Sequence, residues 1–190
     1  KVQSMLAGTF RLNLHETYGD FGGQFVDRDQ VEPRHFESWM QWAKEHRLKL
    51  DFNSTSFSHP KSGSLSLASP DKGIRDFWIE HTKRCRRIAD AMGKYQGDPC
   101  IMNIWVHDGS KDYTVEKYRY RKIFKESLDE IMSEQLPDMK TCLEAKLFGI
   151  GLEAFTVGSH DFVAGYCAKN NMMYTLDTGH YEPTEDVSNA

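Results

Sequence analysis

The 190-residue sequence has no long uninterrupted stretch of apolar residues and little excess charge of either sign. Its mean hydropathy is −0.63, and no apolar run approaches the roughly 20 residues that a membrane-crossing helix needs. The 24 Lys and Arg residues against 28 Asp and Glu residues give a net charge of −4, whereas nonspecific nucleic-acid binding depends on basic side chains. We therefore expect a protein that binds neither a membrane nor a nucleic acid.

Cysteine is scarce and does not occur in metal-binding pairs. The four cysteines, Cys85, Cys100, Cys142 and Cys167, form no C-x-x-C pair, which argues against a zinc knuckle or ribbon. We expect free thiols in a reducing compartment. The N-terminal residues include neither the apolar core of a signal peptide nor an initiator Met, so we expect a cytoplasmic protein from which an upstream segment is missing.

Strand patterns alternate with amphipathic helix patterns along the chain. The 11 Phe, 8 Tyr and 4 Trp residues can supply a packed core, which excludes disorder as the main state. We predict strands at 9–15, 48–53, 100–106, 143–149 and 172–177, and helices at 33–46, from a cap at 69–71 to about 92, from 114 to before 137, and at 159–169. This alternation is typical of repeated βαβ units and of an α/β protein with a parallel sheet.

The sheet could be an open, doubly wound sheet or part of a barrel. No G-x-G-x-x-G or G-x-x-x-x-G-K-[ST] motif follows a predicted strand, which weakens the nucleotide-binding open sheet. Polar residues near the strand ends favour a barrel, whose active site collects residues from many strands. Because a complete (β/α)8 TIM barrel takes about 250 residues, we predict that residues 1–190 are the central part of one TIM-barrel catalytic domain, with about five strand–helix units and with N- and C-terminal parts missing.

The polar residues at the predicted strand ends are the candidates for chemistry. Glu144 and Lys146 are two positions apart in one predicted strand, so their side chains point to the same side. Asp177 closes the last strand, and Gly179 permits a tight turn that returns His180 to the barrel mouth. Carboxylates with an imidazole suit Mn, Zn, Co or Mg. A structural alternative is a Glu144–Lys146 ion pair, with His180 a hydrogen-bonded loop histidine.

Other polar and aromatic residues have structural alternatives as well. Trp105 could serve packing alone, and Asp51 and Asn53 could satisfy backbone N–H groups as turn residues. We expect His81 in the core or at its rim, because it lies on the apolar face of a predicted helix. We expect three other histidines on helix surfaces: His35, His46 and His160.

Several segments resemble the L-rhamnose isomerase family, in the same order along essentially the whole sequence. They are RLNLH (11–15), LDFN (50–53), FSHP (57–60), MNIW (102–105), EAKLFGIG (144–151), TVGS (156–159) and LDTGH (176–180) with PTE (183–185). The resemblance implies a (β/α)8 barrel that binds two divalent metal ions, often Mn. It also implies a homotetramer that interconverts L-rhamnose and L-rhamnulose.

The resemblance assigns metal ligands position by position. Glu144 and Asp177 correspond to ligands of the structural metal that grips the substrate hydroxyls. His180 corresponds to a ligand of the second, catalytic metal. The remaining ligands would lie beyond Ala190.

The resemblance also assigns substrate contacts. Lys146 corresponds to a lysine near the sugar O1, His15 to a histidine that contacts the substrate, and Trp105 to an aromatic wall of the pocket. Tyr18 falls where the family lines the pocket for the far end of the sugar.

The implied reaction is an aldose–ketose isomerisation by a metal-assisted hydride shift, with Lys146 and His180 as the catalytic residues. Two other classes of function are kept as alternatives. One is a metal-dependent TIM-barrel hydrolase such as a phosphodiester-cleaving enzyme, against which the acidic balance counts. The other is a non-catalytic sugar-binding or assembly module that uses the same strand ends.

Overall fold

The computed structural model of the protein describes residues 2–148, 151 and 153–189. Within these residues the chain forms four α-helices and seven strands. The helices are α1 (Glu37–Glu45), α2 (Lys72–Gln96), α3 (Lys117–Met132) and α4 (His160–Asn170). The strands are β1 (Arg11–His15), β2 (Lys49–Ser54), β3 (Cys100–Ile104), β4 (Gly109–Ser110), β5 (Met139–Glu144), β6 (Phe155–Thr156) and β7 (Met173–Thr175). None of the helices in the described part is long and apolar enough to cross a bilayer.

Five of the strands form one parallel sheet, which confirms the predicted α/β class. Its order is β1-β2-β3-β5-β7, and every neighbouring pair runs parallel. The short strands β4 and β6 pair with each other in the antiparallel sense. The sheet order follows the chain order without a reversal, whereas a doubly wound sheet reverses direction at a switch point.

The sheet has an apolar face covered by helices and a polar face. Residues of β1, β2, β3 and β5 that point to the first face join one core with residues of all four helices; they include Leu14, Leu50, Phe52, Met102 and Leu143. The alternate residues of these strands are exposed or partly buried, with Cys142 as the exception. Helices on a single face agree with a barrel, whose other face is its interior, better than with a doubly wound sheet, which has helices on both faces.

Helix α2 is the longest element, and its sequence defines both of its ends. The Asp71 side chain accepts a hydrogen bond from the Ile74 amide at 3.1 Å, which caps the first turn. Gly97 ends the helix with a φ of +63°, a conformation that glycine adopts without steric cost. His81, which the sequence predicts at the core or its rim, is fully buried on this helix.

Strand β5 does not have the predicted bounds. The sequence predicts a strand over 143–149, whereas β5 covers Met139–Glu144, and Gly149 lies outside the described residues. The chain leaves the sheet after Glu144, because the Lys146 amide donates to the Gly158 carbonyl at 3.0 Å instead of to a sheet neighbour. Lys146 therefore follows the strand.

Asp51 has a structural role in the described fold. Its carboxylate accepts hydrogen bonds from the Arg11 side chain at 2.7 and 2.8 Å and from the Ile101 amide at 2.8 Å. These bonds join the three strands β1, β2 and β3, so Asp51 has a structural role and bonds a backbone N–H group, but it lies within β2 and not in the turn that the structural alternative assumed.

Candidate functional site

The register of the parallel sheet aligns polar residues near the carboxyl ends of the strands. His15 is opposite Asn53, which is opposite Asn103 on the next strand. Farther along the sheet, Glu144 is opposite Thr175. Because parallel strands all end at the same edge, residues from distant parts of the chain lie beside one another there.

A cleft of about 570 Å³ opens over this edge, a size within the usual range for small-ligand sites. Six of the seven predicted site residues line it: His15, Trp105, Glu144, Lys146, Asp177 and His180. The other lining residues include Asn53, Thr55, Phe57 and Asn103. The predicted residues are thus brought together, apart from Tyr18.

Glu144, Asp177 and His180 form a compact group of potential metal ligands. The Nδ1 atom of His180 lies 2.9 Å from Glu144 Oε1, and its Nε2 atom lies 3.1 Å from Asp177 Oδ2. One ligand atom from each residue lies within 4.8 Å of the other two. The sequence assigns Asp177 and His180 to two different metals, but the structure places all three side chains in one cluster.

The donor atoms of this cluster are of the kinds that bind a cation. The buried His180 Nδ1 has no hydrogen-bond partner in spite of its closeness to Glu144. The two short distances involve different nitrogens of the His180 ring, and one imidazole cannot bind a single ion through both of them. What suits a divalent cation is the set of oxygen and nitrogen donors, one from each residue, within 4.8 Å of one another.

A short turn holds His180 at the cluster, as its sequence predicts. Residues Thr178–His180 form a 3-10 helix, and the Gly179 amide donates to Asp177 Oδ1 at 2.8 Å. The turn reverses the chain within three residues. Asp177 and His180 can thus face the same cluster.

Lys146 also meets this cluster. Its Nζ atom contacts His180 Nε2 and lies 4.3 Å from the centroid of the Trp105 ring. Burial lowers the pKa of Lys146, and the charges of Glu144 and Asp177 partly oppose this shift. Among the described residues Lys146 makes no direct ion pair with Glu144, which disfavours the structural alternative for the two residues.

Asn103 orients Glu144, and the sequence analysis did not single it out as a site residue. Its Nδ2 group donates to Glu144 Oε2, and its Oδ1 accepts from the Thr175 hydroxyl at 2.9 Å. The second bond defines which end of the amide faces the carboxylate. The sequence feature that could have identified Asn103 is its position in a strand between two apolar residues, which are buried in the structure. This position directs its side chain to the polar face of the sheet.

His160 contacts the turn at residues 178–180, contrary to its predicted position on a helix surface. Its Nε2 group donates to the His180 carbonyl at 2.7 Å, its Nδ1 accepts from the Tyr174 hydroxyl at 2.6 Å, and its ring lies 4.0 Å from that of Tyr181. Helix periodicity could not reveal these contacts, because they come from another part of the chain.

His15 and Trp105, two of the predicted substrate-binding residues, differ in their surroundings. His15 bonds to the Thr55 hydroxyl at 2.8 Å and to the Asn53 amide at 3.3 Å, and burial lowers its pKa. Trp105 packs edge-on against Phe57 at 5.4 Å, and its buried indole N–H has no hydrogen-bond partner. Both residues form walls of the cleft.

Tyr18 lies outside the cleft that the described residues form. Its ring is 5.9 Å from that of His15, and its side chain is 53% exposed. Its backbone carbonyl accepts a hydrogen bond from the Trp39 indole at 2.7 Å. Among the described residues, Tyr18 is connected to the cleft by its ring contact with His15.

The fold and the cleft together define an α/β protein with a candidate cation site at the carboxyl edge of a parallel sheet. The family model described as L-rhamnose isomerase (RhaA) matches residues 1–190. The chain therefore belongs to the L-rhamnose isomerase family, which confirms the resemblance seen in the sequence.

Individual relatives carry the same name. An L-rhamnose isomerase of Bacteroides thetaiotaomicron is 66% identical over 188 residues, which are 99% of this chain and 45% of that protein. One from Listeria monocytogenes serotype 4a is 48% identical over 192 residues, covering 100% of this chain and 46% of the relative. One from Rhodopirellula baltica is 46% identical over 188 residues, which cover 97% of this chain and 44% of that relative. The chain thus spans less than half of the length of these relatives.

Proposed function

We propose that this chain is part of an enzyme that interconverts L-rhamnose and L-rhamnulose. The observation that carries the proposal is the convergence of Glu144, Lys146, Asp177 and His180 in one cleft, in a chain that is 66% identical to a protein of that name. The relatives' names favour an isomerase over a phosphodiester-cleaving hydrolase.

We further propose that the five parallel strands belong to a (β/α)8 barrel, with residues 1–190 as the central part of one catalytic domain. The support is the sheet order, which follows the chain order, and the placement of the helices on one face. The polar face would then line the barrel interior, and the cleft would be one side of the active site.

We propose that the cleft binds two divalent cations, preferably Mn, and that Glu144, Asp177 and His180 hold them on this side. The donor chemistry of these residues and the unpaired Nδ1 atom of His180 support the assignment. Bound cations would supply Lewis-acid polarisation of the sugar oxygens. The other side chains would orient the open-chain sugar and stabilise charge.

Each remaining residue has a role that its surroundings support. Lys146 would face the sugar O1, where its cationic form stabilises negative charge during the hydride shift between C1 and C2. The indole of Trp105 and the imidazole of His15 would contact the sugar chain as walls of the cleft. Tyr18, which contacts His15, would act at the far end of the sugar, and its exposed ring would need a cover from residues outside this chain.

We propose a homotetrameric, cytoplasmic enzyme as the complete form, as the family resemblance implies. The non-catalytic alternative, a sugar-binding or assembly module, makes a different prediction. It would bind the sugar without converting it.

The test measures conversion of L-rhamnose by the full-length enzyme that contains these residues. Activity should disappear with a chelator and return with Mn. His180→Ala should lower turnover far more than sugar binding, because the carboxylates of Glu144 and Asp177 remain. His46→Ala is the matched control, since His46 is an exposed histidine at the end of α1. Sugar binding without turnover in the unmutated enzyme, or near-normal turnover of His180→Ala, would contradict the proposal.

A further inference from the structure

A second group of metal-ligating side chains lies on the helix-covered side of the sheet. Glu16 follows His15 directly, and because successive side chains of an extended chain alternate, it points away from the cleft toward α2. There it meets His81 and Cys85. These three residues are 1%, 0% and 0% exposed, and one ligand atom from each lies within 4.8 Å of the other two.

The carboxylate of Glu16 is buried without adequate compensation. Neither of its oxygens makes a well-formed hydrogen bond, although the hydroxyl and backbone of Thr55 lie close enough to lower the pKa of the carboxyl, against the larger effect of burial. Arg28 Nη1 lies 3.5 Å from Oε1, but the Arg28 guanidinium donates its hydrogen bonds to the carbonyls of Thr55, Phe57 and Ser58 instead. Thr55 lies beside the carboxylate, with its hydroxyl bonded to His15. Buried polar groups are normally paired, so this carboxylate points to a ligand.

His81 and Cys85 present their donor atoms to the same point. They are four residues apart on α2, so they lie on one face of the helix. The His81 Nδ1 group donates to the Arg28 carbonyl at 3.0 Å, and Nε2 lies 3.7 Å from Cys85 Sγ. An imidazole that bonds a backbone carbonyl through one nitrogen and offers the other is the usual arrangement of a metal-bound histidine.

We propose that Glu16, His81 and Cys85 bind a zinc ion in a structural site that is separate from the cleft. Zinc accepts carboxylate, imidazole and thiolate ligands in tetrahedral sites, and a water molecule can complete such a site. The burial that lowers the pKa of His81 to about 4 keeps its imidazole neutral and able to bind. On binding, the Cys85 S–H bond breaks, a zinc–sulfur bond forms and the proton passes to solvent.

This site would join two separate segments of the chain. Glu16 lies at the end of β1, while His81 and Cys85 lie on the helix that packs against β2 and β3. The zinc would therefore hold the 3-10 turn after His15 against α2. The inference does not depend on the proposed isomerase activity, because none of the three ligands lines the cleft.

The test uses the full-length protein and cobalt as a spectroscopic substitute for zinc. Cobalt bound to a thiolate gives a charge-transfer band in the near ultraviolet, whereas the oxygen and nitrogen ligands of the cleft give none. We expect this band in the unmutated protein, its loss in Cys85→Ser, and its retention in Cys100→Ser. Cys100 is the matched control, because it is also fully buried but lies outside the cluster. Added zinc should displace the cobalt and abolish the band.

A metal count gives the second measurement. The unmutated protein and Cys100→Ser should retain one zinc per chain that Cys85→Ser and Glu16→Gln lack. If Cys85→Ser does not fold, the isosteric Glu16→Gln and the cobalt spectrum of the unmutated protein decide the question. An unmutated protein that takes up cobalt without a thiolate band, or a band that persists in Cys85→Ser, would overturn the proposal.

Discussion

Lys146 is surrounded by groups that act on its charge in opposite directions. The ammonium group of Lys146 is partly buried, and it contacts the ring of Trp105 and the imidazole of His180. The carboxylates of Glu144 and Asp177 lie nearby. An ammonium group in such a site can stabilise negative charge that develops on a substrate oxygen. Its packing, in contrast, depends only on its carbon chain.

We predict that Lys146→Met in the full-length enzyme keeps the fold and the metal content but lowers kcat about 100-fold, the effect typical of losing one electrostatic stabiliser. Met preserves most of the length of the side chain. Steady-state kinetics, metal analysis and circular dichroism measure the three properties. Lys140→Met, which alters an exposed lysine in the strand that precedes Lys146, should leave kcat unchanged. A Lys146→Met protein that unfolds or loses metal would restore the structural ion-pair alternative.

Asn103 permits a prediction about metal affinity. Asn103→Ala removes the hydrogen bond that orients Glu144, and loss of such an outer contact typically weakens metal binding about 10- to 100-fold. Titration of the metal-free enzyme with Mn measures this change. Asn13→Ala, which removes an exposed asparagine from the same sheet face, is the control. Equal affinities for both variants would show that Glu144 keeps its orientation without Asn103.

At the scale of elements, Gly93 of α2 lies directly against the backbone that leads into the sheet. A Cβ atom built there would lie 1.7 Å from the Asp138 carbonyl oxygen, just before β5. The Asp138 carbonyl belongs to the backbone, and the new Cβ atom would be attached directly to the backbone of residue 93. No side-chain rotation could therefore relieve the clash. The close packing of α2 on the start of β5 therefore requires glycine.

We predict that Gly93→Ala lowers the free energy of unfolding by about 1–3 kcal/mol, the usual cost of overpacking a core. Gly165→Ala provides a contrast on α4, because its new Cβ meets nothing within 4 Å and alanine favours a helix interior by about 0.5–1 kcal/mol. Urea denaturation of the full-length protein compares the two. A Gly93→Ala protein as stable as the unmutated one would mean that α2 can move away from the sheet without loss.

At the scale of the whole molecule, the described sheet has two edges. Strands β1 and β7 each pair with one neighbour only within the described residues, and unpaired strand edges promote association between chains. The polar face of the sheet also has no covering layer of helices among these residues. Both features agree with strands that continue into a closed barrel.

We predict that residues 1–190 expressed alone do not form an active monomeric isomerase. The two open edges should cause aggregation or an ANS-binding state, and the three proposed ligands are too few to hold two cations. Light scattering, ANS fluorescence and a Mn-dependent isomerase assay measure these properties. A soluble, cooperatively unfolding monomer that converts L-rhamnose would contradict both the barrel and the partial-domain interpretation.

Local patterns in the sequence were sufficient for the α/β class, the five parallel strands and the four helices, whereas the family was indicated by the resemblance of several segments to it. They also identified Glu144, Lys146, Asp177 and His180 as neighbours, since all of them follow strand ends that meet at one edge of a parallel sheet. Hydrophobic periodicity and turn chemistry act over a few residues, and a sequence displays them directly. Strand ends were less certain, as β5 demonstrates: a single new bond from Lys146 to Gly158 redirects the chain.

Only the tertiary structure decided which residues support the site. Asn103 meets Glu144 across 41 positions and Thr175 across 72, and His160 meets the turn at His180 across 20. Glu16 meets His81 and Cys85 only because β1 ends beneath α2. No local pattern encodes such contacts, because they depend on how the separate elements pack, and packing brings together side chains whose positions in the sequence are unrelated.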